Sequence, residues 1–440
     1  MAPGGGGAMK LAFPIWWRNH YRLLGPVIDR ALARGWDVEC WHAANEDRKS
    51  RRRVRAEPPP AFRSGVPRLR EYDGRDGLLR LVHEVRPDAV VSLRPPDAQS
   101  ASGARWIGLQ YTLDIGHFVD AQGRTRFDAI GVHTDHWRDR TADAWDILEF
   151  NRARAEGGAP RTADRRAVDA TMRRFGTVVG FPEMDEFHQI DPGEVRKRLG
   201  LDPQRPVVVY CPFPFRSNPV TRWTRDVYGA RWGRWQQRYA AWREPKYAAH
   251  VAQRWDDRSV VRAVRAFCDA NGAALVVKVR DKEHGLGLRG FLRPAIPSYL
   301  RRAADCLVDD FGTHYPPAIL ALMKIASLCL HPFSTVAYEA AYAGVPSVCV
   351  TADGDDLGFA PIWRTWFLSD APGTSFNFPG VTYPLSVADM AASFARRRLA
   401  DFPLETAARA QYLEKFVGAD DGKASDRLLD VAAARAEAGR

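Results

Sequence analysis

Residues 324–351 read KIASLCLHPFSTVAYEAAYAGVPSVCVT. The apolar run from Leu328 to Leu330 has the composition of a short buried strand, and His331-Pro332-Phe333 breaks it. Ser334 and Thr335 offer N-cap hydroxyls to a helix over Val336 to Ala343. Gly344 supplies the residue after that helix, and Pro346 blocks its continuation. Ser347 to Thr351 is a second buried strand. A strand, a helix and a strand in this order form one unit of a parallel sheet, whose ligand edge is the turn at Ser334 and Thr335.

The first amides of such a helix point outward and its dipole adds positive charge, a combination that favours phosphate. Glu339 stands one turn after Thr335 on the same face, within reach of the vicinal hydroxyls of a ribose. Spacing alone equally allows an ordinary capped helix with an acid complementing its dipole.

The chain has 440 residues, enough for two domains with separate cores. Hydrophobic residues at 45% and charged ones at 27% belong to the globular class. No apolar run approaches a membrane span, and MAPGGGGAMK has no apolar core of a signal peptide, so a cytoplasmic location is expected. Six cysteines, at 40, 211, 268, 306, 329 and 349, form no CxxC pair and read as reduced, mostly buried thiols. The 64 basic and 53 acidic residues leave a net charge of +11, which favours an anionic partner without choosing one.

Taken in order, Lys10 to Ile15 is a strand, Tyr21 to Ala33 a helix closed by Gly35, and Asp37 to Trp41 a second strand. This is how a doubly wound sheet begins, and its first loop, WWRNH, brings Arg18, Asn19 and His20 to the carboxyl edge as candidate acceptor contacts. Residues 46–75 read as a basic, then Pro-rich insertion too irregular for a core element. It has no interleaved aromatics with which to read bases, so no nucleic-acid partner is expected. Asp88 to Leu93, Trp106 to Gln110 and Phe127 to His133 supply further strands, and LQYTLDIGHFVD lies between the last two. HTDH at 133–136 lacks a third nearby ligand, so no metal site is expected there. Helices over Thr141 to Ala155 and 162–173 lead to a strand at Thr177 to Phe181 and a hinge near Pro182.

In the second half, Val207 to Phe213 is a strand whose following turn, PFPFRSNP, carries Arg216 and Ser217 to the sheet edge. Helices over Arg258 to Ala270, near Tyr299 and over Pro317 to Ala326 alternate with strands at Ala274 to Val279 and Cys306 to Val308. Between Pro219 and Trp255, Trp232, Trp235, Tyr239 and Trp242 recur on one helical face among arginines, a pattern suited to a bilayer interface or to packing on its own domain. DGDD at 353–356 follows a strand as a loop and is not read as a metal motif. Helices near Val387 to Arg398, over 405–416 and over 423–437 close the chain.

HPFSTVAYEAAYAGVPSV resembles the signature of nucleotide-sugar transferases of the GT-B fold, above all the CDP-glycerol glycerophosphotransferase and surface-polysaccharide transferase group. VVGFPEMDEF at 178–187 resembles the segment leading into the second domain of such enzymes, and FVGADDGKASDRLLDV at 416–431 their closing motif. The resemblance implies an α/β architecture of two Rossmann-like, doubly wound domains facing a cleft. Residues 9–182 would bind the acceptor, 183–404 the donor, and the helices of 405–440 would cross back to the first domain. It implies that Lys278, Arg280 and His284, which follow one strand into its loop, carry a basic motif toward phosphates. It also implies a catalytic base in the loop near 111–117, where related enzymes often carry an HG pair. Tyr111 stands at that place here, so His117, Asp114 and His20, in that order, are the candidate bases.

The expected activity is transfer of a sugar or glycerol-phosphate group from a nucleotide-activated donor to a hydroxyl of a glycan or lipid-linked acceptor. Such an enzyme would work in the cytoplasm or at the inner face of the membrane, in cell-surface polymer synthesis. Ser334, Thr335, Glu339, His331, Lys278, Arg280, Arg216 and Ser217 would hold the donor, with no cofactor and no metal. Two readings compete with it: a UDP-N-acetylhexosamine 2-epimerase, which uses the same architecture but acts on the donor itself, and, from another class, a non-catalytic polyanion-binding protein.

Overall fold

Strand β1 (Lys10–Ile15) pairs in parallel with β2 (Asp37–Ala43) across helix α1 (Tyr21–Ala33), as the opening of the sequence predicts. The structure, a computed structural model, describes residues 8–44, 59–96, 104–156, 158–212, 257–279, 298–309, 314–332, 334–351 and 372–437. The first sheet continues through β3 (Arg68–Tyr72), α2 (Gly74–Val85), β4 (Ala89–Ser92), β5 (Trp106–Leu109) and β6 (Ala129–Val132). Helices α3 (Asp135–Arg138), α4 (Thr141–Glu156) and α5 (Arg165–Phe175) then lead into β7 (Gly176–Val178). All its pairings are parallel, in the order β3-β2-β1-β4-β5-β6-β7. The central strands are buried on both faces, so they read as unbroken apolar runs.

The end of the 46–75 insertion is not irregular: RLREY forms β3, the edge strand beside β2. An edge strand tolerates charges, and Arg70 uses its own on Glu39 (2.8 Å) and Glu84 (3.0 Å), so the segment lacks the apolar run that would have marked it.

The second sheet is built from β8 (Val207–Tyr210), β9 (Ala274–Val279), β10 (Cys306–Asp309), β11 (Leu328–His331), β12 (Ser347–Thr351) and β13 (Thr382–Ser386). It is also parallel throughout, in the order β10-β9-β8-β11-β12-β13. Helix α6 (Pro192–Leu199) precedes it, and α7 (Asp257–Ala270), α8 (Ser298–Ala303), α9 (Ala318–Met323) and α10 (Val336–Tyr342) alternate with its strands. Its core joins strand residues such as Val208 and Leu330 to Phe267 of α7 and to Phe394 of helix α11 (Val387–Arg396), two rings 4.5 Å apart. β13 was not anticipated from the sequence, because TYPLS holds a proline, which an edge strand accommodates.

The chain divides into two compact units, one of residues 1–189, 313–317 and 414–440, the other of 190–312 and 318–413. After α12 (Thr406–Phe416), helix α13 (Ala424–Glu437) returns to the first unit and packs on α1, β6 and residues 182–189. Two glycines allow this return: Gly418 (φ +99°) has Gly180 Cα 2.9 Å and His133 O 3.1 Å from where a Cβ would sit. All six cysteines are free. No helix among the described residues is long and apolar enough to cross a membrane.

Candidate functional site

Both sheets reverse strand order once, between β1 and β4 in the first and between β8 and β11 in the second. Doubly wound sheets bind ligands at the carboxyl edge of that reversal, where the two following loops part. The residues after β11 and after β1 are therefore the places where chemistry is expected.

In the second unit, His331 ends β11 with its side chain fully buried, in register with Cys349 and 5.9 Å from the Phe376 ring. Ser334 is buried, and its Oγ accepts the Val336 amide at 3.4 Å. Thr335 is already helical (φ −56°, ψ −12°) and its side chain caps nothing. Tight i to i+3 bonds, Ala337 N to Ser334 O and Tyr338 N to Thr335 O, open the helix. Of the expected capping pair, only Ser334 acts as one.

Glu339 is 1% exposed, and its charge helps push Cys329, Tyr338 and Tyr412 further above their ordinary pKa values after burial itself. The carboxylate thus belongs to a polar layer under α10. There Tyr338 Oη and Ser375 Oγ share a 2.9 Å hydrogen bond and Tyr412 Oη donates to Ser375 O at 2.9 Å. Lys278 lies buried near the carboxyl end of β9, opposite Val308. His331, Ser334, Thr335 and Glu339 come together on one strand-turn-helix segment. Arg216, Ser217 and Arg280 lie outside the described residues, as do His284, the tryptophan face of 232–242 and DGDD.

In the first unit, His117 and Asp114 share the 3-10 turn Thr112–Phe118 after β5, with Tyr111 at its start. His117 is exposed and lines a cavity of about 510 Å³ with Pro95, Phe118, Val119 and Arg126. Thr125 Oγ1 donates to Phe118 O at 2.7 Å and Arg126 donates to Pro96 O at 3.1 Å, which fixes two walls. The turn is held from behind by α4: a Cβ on Gly116 would meet Trp145 N at 2.5 Å.

His20 stands on a different turn, Arg18–His20 after β1, and is buried, with Nδ1 making no hydrogen bond among the described residues. Burial first and the charge of Arg94 second lower its pKa to about 3, so it is a neutral imidazole at working pH. His42, at the end of β2, is lowered to about 4 by burial and Arg18, and shares a hydrogen bond with Tyr21 Oη. Sequence reasoning passed over His42, Tyr72, Arg94 and the indoles of Trp16 and Trp17. The signal available was a Trp-Trp pair closing a strand and an arginine before Pro95-Pro96 closing its neighbour.

HTDH is structural. His133 stacks on Phe181 (3.9 Å) with Nε2 at Gln110 O (3.1 Å), and Thr134 caps α3. His136 packs edge-on against Phe416. No cluster of three metal-ligating side chains occurs among the described residues.

Compared with known proteins, this sequence matches no family model, and no curated protein is similar to it by sequence. Among solved structures, the wall teichoic acid polymerase TagF superimposes with a TM-score of 0.53 at 12% identity, over 98% of this chain and 89% of the polymerase chain. A structure of a TagF variant soaked with CDPG gives 0.52 at 10% identity, over the same shares. A UDP-GlcNAc 2-epimerase from Methanocaldococcus jannaschii reaches 0.49 at 12% identity, over 97% of this chain and all of its own, and adds nothing to the fold assignment. The chain has the GT-B fold: two parallel α/β sheets of seven and six strands, with its last helix on the first.

Proposed function

We propose that this protein is a nucleotide-dependent transferase. It moves a sugar or glycerol-phosphate group from an activated donor to a hydroxyl of a glycan or lipid-linked acceptor in cell-envelope polymer synthesis. The observation that carries this reading is the segment after β11, where His331, Ser334 and the buried Glu339 sit together at the strand-order reversal of the second sheet. A carboxylate in that position suits a pair of ribose hydroxyls, and an imidazole at the end of β11, with a lysine near the end of β9 in the same sheet, suits phosphate oxygens.

The chemistry is a single exchange of bonds. A base on the first unit takes the proton of the acceptor hydroxyl, the oxygen bonds to the transferred group, and the bond to the nucleotide breaks with its electron pair leaving on phosphate. Lys278 and His331 meet that developing charge in this reading, which assigns no metal to the step. His117 is the first candidate for the base, with Asp114 and His20 after it.

A thermal-shift panel of CDP, UDP, GDP, ADP and CMP-linked donors, with and without EDTA, tests the reading. A ligand at 100 times its Kd stabilises the folded state by about 2.7 kcal/mol. TagF shares the fold and one of its variants was soaked with CDPG, so cytidine donors belong in the panel. Absence of stabilisation by every nucleotide would remove the transferase reading.

A further inference from the structure

The carboxyl edge of the first sheet holds a second, independent constellation at its own strand-order reversal, between β1 and β4. On the β1 side, Trp16 and Trp17 are half-buried, and the His20 ring stands edge-on to both, with centroids 6.0 Å and 5.5 Å away. On the β4 side, the Arg94 guanidinium lies 4.1 Å from the Trp17 ring centroid and 5.8 Å from that of Trp16. Ser92 fixes the arginine's backbone: its Oγ accepts the Arg94 amide at 3.0 Å and donates to Arg94 O at 2.6 Å.

Two buried polar atoms here make no hydrogen bond among the described residues, His20 Nδ1 and, at the end of β3, Tyr72 Oη. Their residues are 4% and 5% exposed, and the Arg94 charge acts on both. His42 Nε2 shares its hydrogen bond with Tyr21 Oη. Buried polar atoms without partners are costly, and sites that bind ligands are where they persist.

We propose that this edge takes a sugar ring carrying an anionic substituent, a carboxylate or a phosphate. Its negative group faces Arg94, its hydroxyls meet His20 Nδ1 and Tyr72 Oη, and the indoles of Trp16 and Trp17 form the wall for its C–H face. A guanidinium held against an indole keeps its fork of N–H donors oriented, which suits both kinds of anion. The aromatic wall argues for a ring, since an open-chain polyol offers no apolar face of that size. This assignment gives the acceptor of the transferase reading a chemical class and rests on that reading for the word acceptor; the binding site stands on the side chains alone.

The test is equilibrium binding to the full chain, by calorimetry and saturation-transfer NMR. The probes are methyl glucuronide, glucose 6-phosphate, methyl glucoside and glycerol 3-phosphate. Binding of either anionic ring at least tenfold tighter than the neutral ring and than glycerol 3-phosphate is expected, and the preferred anion names the substituent. Arg94→Gln should weaken that binding tenfold or more and Tyr72→Phe about threefold, while the nucleotide thermal shift of the second unit stays intact in both. No binding by either anionic ring, equal binding by glycerol 3-phosphate, or unchanged binding in Arg94→Gln overturns the proposal. If the anionic ring binds and every nucleotide fails, the site stands and the transferase reading falls.

Discussion

Asp185 accepts the backbone amide of Ser425 at 2.7 Å and that of Ala424 at 3.0 Å, joining positions 240 and 239 residues apart. It therefore caps the first turn of α13 from within the segment 182–189, so the two motifs that resemble a domain entry and a closing signature are one physical joint. Arg22 on Glu183 and Arg63 on Glu186 (2.7 Å) neutralise the other acids of that segment. Burial pushes the Asp185 carboxyl up, and the two amides pull it back. Asp185→Ala leaves both amides without their acceptor and should lower stability by about 1–2 kcal/mol, the usual cost of a lost cap. Thermal unfolding and hydrogen exchange at residues 424–427 would register it; protection equal to the parent's would show that the cap contributes nothing.

The first unit should be labile to acid. His20 and His133 are lowered to about 3, and His42 and His136 to about 4, in each case chiefly by burial. A histidine depressed in the folded state is neutral there while the unfolded chain takes up its proton near pH 6.5, so stability is full above that value and falls as pH drops toward 4. All four lie in the first unit. The expected result is a melting temperature that declines steadily from pH 7 to 4.5, with net proton uptake on unfolding; a flat profile over that range would contradict the burial of these rings.

The alternation of strands and helices was legible because both sheets are parallel and doubly covered, which turns each strand into an apolar run bounded by a glycine or proline turn. Lys10–Ile15, Tyr21–Ala33 and Ala274–Val279 fall where the sequence put them. What escaped were edge strands, β3 with its charges and β13 with Pro384, since edges do not demand apolar residues. The site was half legible. Residues 331–339 are contiguous, so one stretch displays them. The constellation of Trp17, His20, Tyr72 and Arg94 is gathered from three strand ends, and only the strand order brings them together.

Glu339→Ala should weaken nucleoside diphosphate binding by about 1–3 kcal/mol, the cost of leaving buried hydroxyls without their acceptor. The residue is 1% exposed, on the buried face of α10. Calorimetry on the folded variant decides the matter: an unchanged Kd would confine Glu339 to the polar layer it shares with Tyr338 and Tyr412.

Gly116→Ala separates placement from chemistry. The added methyl would meet the backbone of Trp145 at 2.5 Å and push the turn Thr112–Phe118 away from α4. Overpacking of this kind costs roughly 1–3 kcal/mol, and turnover should fall while nucleotide affinity holds. A variant with parental turnover would show that the position of this turn does not matter to the reaction.

Deprotonating a hydroxyl requires a group close to the acceptor that can take up a proton at working pH, a role imidazole side chains commonly fill and carboxylates fill when burial tunes them upward. His117 is exposed on the wall of the cavity in the first unit. His20 is buried and lowered to about 3, which suits a fixed hydrogen-bond partner better than a proton acceptor. Asp114 shares the turn of His117 and is the next candidate. A base contributes roughly 100- to 10,000-fold, so His117→Ala should reduce turnover by about that factor and leave nucleotide affinity nearly unchanged. His20→Asn, acting on acceptor placement, should instead raise the acceptor KM more than it lowers kcat. Retention of more than about a tenth of parental turnover in His117→Ala would sink the assignment, and the same measurement on Asp114→Asn would then show whether the carboxylate takes its place.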